Sequence, residues 1–382
     1  MKIVVVGASG NAGGMIARLL APSLSAADEL VLAGRNLERL AAVQRQLTTV
    51  ADVGVASVDV AVPEQVAVAV EGATVVVVTV SRPDLVSSLA EIVLEAGADW
   101  FDTLLSSPTK HAALRALAPR ITAAGRCFVT DGGFHPGLPG ALVRWAAERL
   151  DAITVADVMA GLRIDWRTDS LSDSTIAEML DELTDFSMAT WVDGQRRELR
   201  WTECPVVDFG KPIGRKSLVP MALAEMDELP ARYPTLQRCG FYVSGFSPAF
   251  DYLAMPILMA VSKVRPWRPA AIAFTRRAMA RLCRPTPPYQ LSVKLDAVGE
   301  RAGRPATASV RVSGEDSYLL TAAPAVACLR GMLDGSIRTP GVHLQADVVS
   351  PTPLLADLAA AGLRVETSLT PTGVGALGSL GL

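Results

Sequence analysis

Short runs of β-branched residues alternate with longer helix-patterned stretches through the first third of the chain. IVVV at 3–6, LVLA at 30–33, VGVASVDV at 53–60, VVVVTV at 75–80 and CFVT at 127–130 each read as a strand, and their alternation with helices predicts a parallel sheet with crossover connections. The run at 75–80 has no polar face, as a strand covered by helices on both sides requires. From about Phe134 the pattern changes. It predicts an amphipathic helix near Ser174–Phe186, a tryptophan-bearing strand region near 191–208 and a loop-rich middle. A chain of 382 residues exceeds the size at which single cores usually stop growing, so the change of pattern reads as the start of a second domain.

The first strand runs straight into glycines. In IVVVGASGNAGGMIARLL at 3–20, Gly7, Gly10 and Gly13 follow a strand and precede an apolar helix, the context that gives a glycine motif its meaning. Gly7 allows the tight turn, Gly10 lets backbone approach a pyrophosphate, and Gly13 lets the helix pack closely on the sheet. The helix amino terminus then faces the phosphates. The spacing is GxxGxxG, one residue longer than the common form, so Ser9 and Asn11 can add polar contacts. The second strand ends in LVLAGRN. Where a dinucleotide fold that prefers NAD places a carboxylate, this chain offers Gly34 and then Arg35, whose guanidinium can hold a 2′-phosphate. Arg39, one helical turn on, can share it. These features predict an NADP-binding Rossmann domain. By strand order, Asp59 in the third strand's SVDV falls near the adenine, and Ser81 closes the fourth strand towards the nicotinamide.

Composition narrows the partners. Half the residues are hydrophobic, a fifth are charged and the net charge is −3, a balance that favours a folded protein and disfavours nucleic acid as a partner. The cysteines, Cys127, Cys204, Cys239, Cys283 and Cys328, form no CxxC pair, and no metal site is expected; free thiols suit a cytoplasmic protein. No export signal precedes the first strand, and the apolar stretch Tyr252–Ser262 is too short to cross a bilayer. The basic, proline-rich stretch 263–288 contains no acidic residue. It reads as a solvated face, or as a surface that meets acidic lipid or an anionic carrier.

Further segments carry a family resemblance. EAGADWFDT at 95–103, DGGFHPGLPG at 131–140 and SYLLTAAPAVACLRGMLDGSIRTPGV at 317–342 resemble the fifth strand, the glycine-rich turn and the closing helix of the saccharopine dehydrogenase-like oxidoreductases. The resemblance implies an α/β fold: a Rossmann doubly wound parallel sheet over 1–133, a mixed-sheet substrate and dimerisation domain over 134–320, and a segment, 321–382, that returns to the cofactor domain. The stretch from Ser172 through PTPPYQ is more similar to the branch that includes trans-acting enoyl reductases than to lysine-pathway enzymes. The family turn usually carries aspartate where this chain has His135.

The expected chemistry is hydride transfer from NADPH to a C=N or C=C bond of a small or carrier-linked metabolite, by a homodimer; the rival reading is an NADP-sensing protein without turnover. His135 is the candidate proton donor, because an imidazole titrates near neutrality and the turn lies at the domain junction; bracing the turn is its other possible role. Asp102 and Asp131 follow apolar strands on the carboxyl side of the sheet and either orient a catalytic group or cap a turn. In the second domain Arg163 or Arg167 could clamp a carboxylate, beside Asp165 and Asp169, while Ser172 or Ser174 serves as a helix cap. No GxSxG, HExxH or Walker loop is present, which removes support for hydrolase, metalloprotease and nucleotide triphosphatase readings.

Overall fold

In a computed structural model, residues 1–165, 187–262 and 267–371 are described, together with Ile176, Ala177, Met179 and Leu180. The expected helix at 174–186 falls largely outside the described residues, and Arg167, Asp169, Ser172, Ser174, Lys263 and Arg265 fall wholly outside them. The chain divides into two compact units, one of Met1–Ala141 with Tyr318–Gly362 and one of Leu142–Ser317 with Leu363–Leu382.

The first unit is built on strands β1 (Lys2–Val6), β2 (Glu29–Gly34), β3 (Asp52–Ser57), β4 (Val75–Val78), β5 (Asp99–Asp102) and β6 (Cys127–Thr130), joined by a late strand, β15 (Gly341–Leu344). They form a seven-stranded sheet in the order β15-β6-β5-β4-β1-β2-β3, and every pairing is parallel. Helices α1 (Asn11–Leu20), α2 (Leu37–Gln44), α3 (Pro63–Val70), α4 (Val86–Glu95) and α5 (Pro108–Ala123) make the crossovers. Val75 to Val78 are all buried, which is why that run carries no polar alternation. The chain leaves β1 through β2 and β3, then crosses back to β4. Ligands of such sheets gather at this reversal, beyond the carboxyl ends of the strands.

The second unit holds a nine-stranded mixed sheet. Its main path runs β10 (Val206–Asp208), β11 (Arg215–Met221), β12 (Arg238–Ser244), β7 (Ala152–Arg163), β13 (Gln290–Arg301), β14 (Arg304–Gly314) and β16 (Arg364–Pro371), and a short hairpin of β8 (Ala189–Val192) and β9 (Gln195–Glu198) pairs with β12. Only β7 and β12 pair in parallel on this path.

The carboxyl-terminal segment differs from its sequence expectation. Residues 318–362 lie with the first unit, and β15 extends its sheet. β16, however, pairs antiparallel with β14 from Arg364↔Ser313 to Pro371↔Ala306. Its largely exposed residues match an edge position, where one sheet edge offers a ladder of backbone hydrogen bonds that a solitary strand lacks. The segment 321–382 is therefore divided between the two sheets.

Candidate active site

The loop after β1 folds as the glycine spacing requires. Gly7 has φ +94°, and a Cβ there would meet Thr79 Oγ1 at 2.6 Å. A Cβ on Gly13 would stand 2.6 Å from both Gly7 O and Thr79 Oγ1, so this glycine lets α1 close onto the loop and the end of β4. Gly10 differs from both. It is the N-cap of α1, and a Cβ there would meet nothing within 4 Å except Gly7 O at 3.2 Å, leaving the space before the helix open to a phosphate. No side chain caps this helix, so its first amides have no cap to satisfy them. Asn11 begins α1, and Ser9 approaches Gly34, whose added Cβ would lie 3.1 Å from Ser9 Oγ.

At the end of β2, Arg35 and Arg39 are exposed and make no ion pair among the described residues. Asn36 accepts a hydrogen bond from Arg39 N at 2.9 Å and so starts α2. Two guanidiniums without an ion pair, following a glycine where a dinucleotide fold that prefers NAD places a carboxylate, suit an added phosphate. Asp59 lies outside its predicted strand, because β3 ends at Ser57. Its carboxylate accepts Ala61 N at 3.0 Å while its amide donates to Gln65, which is the local turn bonding that aspartate favours over a ladder. Ser81 is half-buried in the loop after β4, which ends at Val78 rather than Val80.

At the carboxyl ends of β5 and β6 the structure assembles a group that sequence reasoning located only in part. Asp102, the last residue of β5, is fully buried. Its carboxylate accepts hydrogen bonds from Trp100 Nε1 at 2.8 Å, Leu104 N at 3.1 Å and Lys110 Nζ at 3.0 Å. Asp131, immediately after β6, is also fully buried, and its Oδ1 receives Lys110 Nζ at 2.6 Å and lies 2.9 Å from His111 Nε2. Lys110 itself is fully buried and also donates to Leu104 O at 2.7 Å. The sequence holds the group together through α5: Ser107 accepts Lys110 N as the helix cap, Pro108 opens the helix, and the next residues, Lys110 and His111, turn back onto the sheet.

Charge follows geometry. Burial pushes the Asp131 carboxyl up, but Lys110 and His111 together hold it well below the usual carboxylate range. Burial likewise opposes the Lys110 cation, yet the two aspartates outweigh it and raise its pKa, so the ammonium is charged at neutral pH. Every partner of Asp102 is a donor, which is the pattern of an ionised carboxylate. Two carboxylates and one ammonium together carry −1. Asp131 adopts φ +55°, a left-handed backbone that costs energy outside glycine and accumulates at functional sites. Its Oδ2, with the neighbouring Thr130 Oγ1, is buried without a hydrogen-bond partner.

The turn 131–140 is pinned from within the same unit. Gly133 N donates to Gln345 Oε1 at 3.1 Å, and Gln345 Nε2 donates back to Gly133 O at 3.3 Å. Gly137 has φ +115°, and a Cβ there would stand 2.5 Å from Gln345 Nε2. His135 lies in this turn half-buried, its ring stacked on Phe134 with centroids 4.3 Å apart. Burial pushes its pKa down to about 4, so it is neutral at pH 7 and ill suited to donate a proton. Asp131 is bonded to Lys110 and His111, not to His135. Of the sequence candidates, Asp102 and Asp131 are therefore brought together, and the imidazole beside them is His111. Lys110 was missed because a lysine in a first helical turn ordinarily reads as exposed. In the second unit, Arg163 binds the carbonyls of Thr286 and Pro288 at 2.7–3.1 Å, so it ties down a loop and is not a free carboxylate clamp.

The loop, the sheet reversal and the open arginines define an NADP-binding domain of the dehydrogenase class. Residues 3–129 match the sequence model of the saccharopine dehydrogenase NADP binding domain, and that region is an NADP-binding domain of this kind. No curated protein matches the chain. Among solved structures it is similar to the apo saccharopine dehydrogenase (L-Glu forming) from Saccharomyces cerevisiae, with 13% identity over 96% of this chain and 99% of that one and a TM-score of 0.67. It also matches the DAP dehydrogenase of C. glutamicum in complex with DAP, with 15% identity over 94% of this chain and 98% of that one at a TM-score of 0.46. The first likeness is close enough to define a shared fold, and the mixed second sheet is part of that fold.

Proposed function

We propose that the chain is an NADPH-dependent reductase of a C=N bond in a small or carrier-linked metabolite, and that reduction of a C=C bond is the less favoured alternative. The observation that carries this reading is the buried group of Asp102, Lys110, Asp131 and His111 at the carboxyl edge of β5 and β6. A protein that only sensed NADP has no need of a desolvated lysine between two carboxylates on that edge. Bound NADPH supplies the hydride. Gly7, Gly10 and Gly13 hold its pyrophosphate, Arg35 and Arg39 its 2′-phosphate, and the charge group supplies the acid and base.

The sign of that group favours nitrogen. An imine gains positive charge as it is protonated, whereas an enoyl or carbonyl acceptor develops negative charge on oxygen. Opposite a net charge of −1 at a distance of about 7 Å, with an effective dielectric near 20, the difference in sign is worth ~2 kcal/mol in each direction. That margin exceeds tenfold in rate.

The test is NADPH oxidation, followed by absorbance, across cyclic and acyclic imines, 2-oxo acids mixed with amines, and enoyl thioesters. Turnover confined to imines is expected. A protein that binds NADP and oxidises NADPH with none of them is a sensor. In the same protein, Arg35→Ala should remove ~1.5–3 kcal/mol of the preference for NADP over NAD, measured by calorimetry. Equal affinity of the unmodified chain for both cofactors would overturn the phosphate-binding role of Arg35.

A further inference from the structure

We infer that His111 is the proton donor of this reduction, that Asp131 fixes its tautomer and orientation, and that Lys110 and Asp102 act on it only through Asp131. The inference rests on the reductase reading. Its basis is geometric. His111 Nε2 lies 2.9 Å from Asp131 Oδ1, and a carboxylate can only accept, so Nε2 carries hydrogen and Nδ1 is the nitrogen left to exchange a proton. Nδ1 has no hydrogen-bond partner among the described residues. The side chain retains 13% of its exposure while Asp131, Asp102 and Lys110 retain none, which makes His111 the member of the group that a substrate can reach. It also stands at the start of the helix after β5, on the sheet edge where the reacting end of a dinucleotide lies in this topology.

The bonds balance as follows. The Nδ1–H bond of the His111 imidazolium breaks as the substrate nitrogen takes its proton, and the hydride adds to the adjacent carbon with the electron pair of the C=N bond moving to nitrogen. The product is an amine, NADPH leaves oxidised, and His111 is reprotonated from solvent. Asp131 stays ionised throughout. Transfer of the proton leaves the ionised Asp131 facing the new cation.

The groups that bear on His111 are Asp131 after β6, Lys110 beside it on α5, and Asp102 at the end of β5. Three further elements packed against α5 carry ionisable groups: α4 carries Glu91 and Glu95, which pair with Arg120 of α5, the turn Pro83–Leu85 carries Asp84, paired with Arg82, and β15 carries His343, bonded to Thr339 O.

Two measurements test the assignment. In the unmodified protein, nitrogen NMR of the imidazoles should show His111 with hydrogen on Nε2. The resonance of its Nδ1 should differ between the NADP⁺ and NADPH complexes, because the two cofactor forms differ by one positive charge on the nicotinamide. Identical Nδ1 resonances in the two complexes overturn the placement of His111 at the reacting end. With an acceptor from the panel, His111→Gln should lower kcat by about 10² or more while the Kd for NADPH stays within threefold. His111→Asn serves where the glutamine variant fails to fold. Turnover kept in the His111 variants and lost in His135→Gln would transfer the role to His135 and overturn the inference, leaving the reductase reading intact. If no acceptor oxidises NADPH, the reductase reading itself falls and the inference with it.

Discussion

Each unit of the molecule buries an aspartate beside a cation, and the two aspartates respond in opposite directions. Asp131 in the first unit is pushed up by burial but held far down by Lys110 and His111. Asp157 in the second unit, within hydrogen-bond contact of Arg238, is pushed up by burial to about 6 in spite of that partner. Each leaves one carboxylate oxygen buried and unpartnered. The difference lies in how many donors converge and where. Asp131 meets the Lys110 ammonium and the His111 imidazole at the carboxyl end of a parallel sheet, whereas Asp157 sits in the middle of β7, paired with Gly240 of β12, where one arginine must offset the whole cost of desolvation. A buried carboxylate is thus no marker of chemistry by itself. Convergent partners, strained backbone and a neighbouring imidazole with residual exposure distinguish the first of these, the group on which the proposed function rests, from the second, a lone ion pair within a sheet.

The largest expected effect comes from removing the cation of the first group. Lys110→Met leaves two buried carboxylates facing one another and should cost about 3–5 kcal/mol in urea denaturation; a loss below 1 kcal/mol would show that the aspartates are not held ionised by this lysine. The second group predicts a smaller, pH-dependent effect. Asp157 has a folded-state pKa above its unfolded value, so the stability tied to its neutral form is complete at low pH and is lost as pH rises from about 4 to about 6. Asp157→Asn should therefore gain on the unmodified chain by about 1–3 kcal/mol between pH 4.5 and pH 7. Asp131 runs the other way, its contribution being present at neutral pH and lost on acidification through its depressed value. A pH-independent Asp157→Asn difference would erase the contrast. The smallest effect is Tyr242→Phe, which removes a hydroxyl that Thr190 Oγ1 approaches at 3.4 Å and that also bonds to Arg238. About 1 kcal/mol of stability is expected to go, with the pH dependence of Asp157 almost unchanged.

How far each feature could be read depended on its span along the chain. The cofactor loop is continuous: strand, glycines and helix occupy consecutive residues, so one stretch of sequence states the whole motif. Arg35 was legible for the same reason, as the residue directly after a recognisable strand end. The charge group was legible only in halves. Asp102 and Asp131 end apolar runs, which the pattern exposes, but Lys110 and His111 are ordinary first-turn residues of a helix until the sheet brings β5 and β6 side by side. His135 is a sequence candidate because an imidazole in the turn 131–140 ordinarily titrates near neutrality, whereas its stacking on Phe134 and the burial that lowers its pKa are visible only in the fold.

The sequence by itself determined what periodicity and local sterics govern: parallel strands with buried faces, a glycine loop before a helix, and an arginine where a carboxylate would exclude the extra phosphate. Tertiary structure decided what depends on distance through space. It placed Gln345 against Gly133 across 212 residues of chain, gave the last strand to the second sheet, and set one lysine between two aspartates. The physical reason is the same in each case. Hydrophobic pattern specifies which face of an element is buried, but the protonation state and partner of a buried polar group depend on which other charges share its low-dielectric surroundings, and the fold alone selects those.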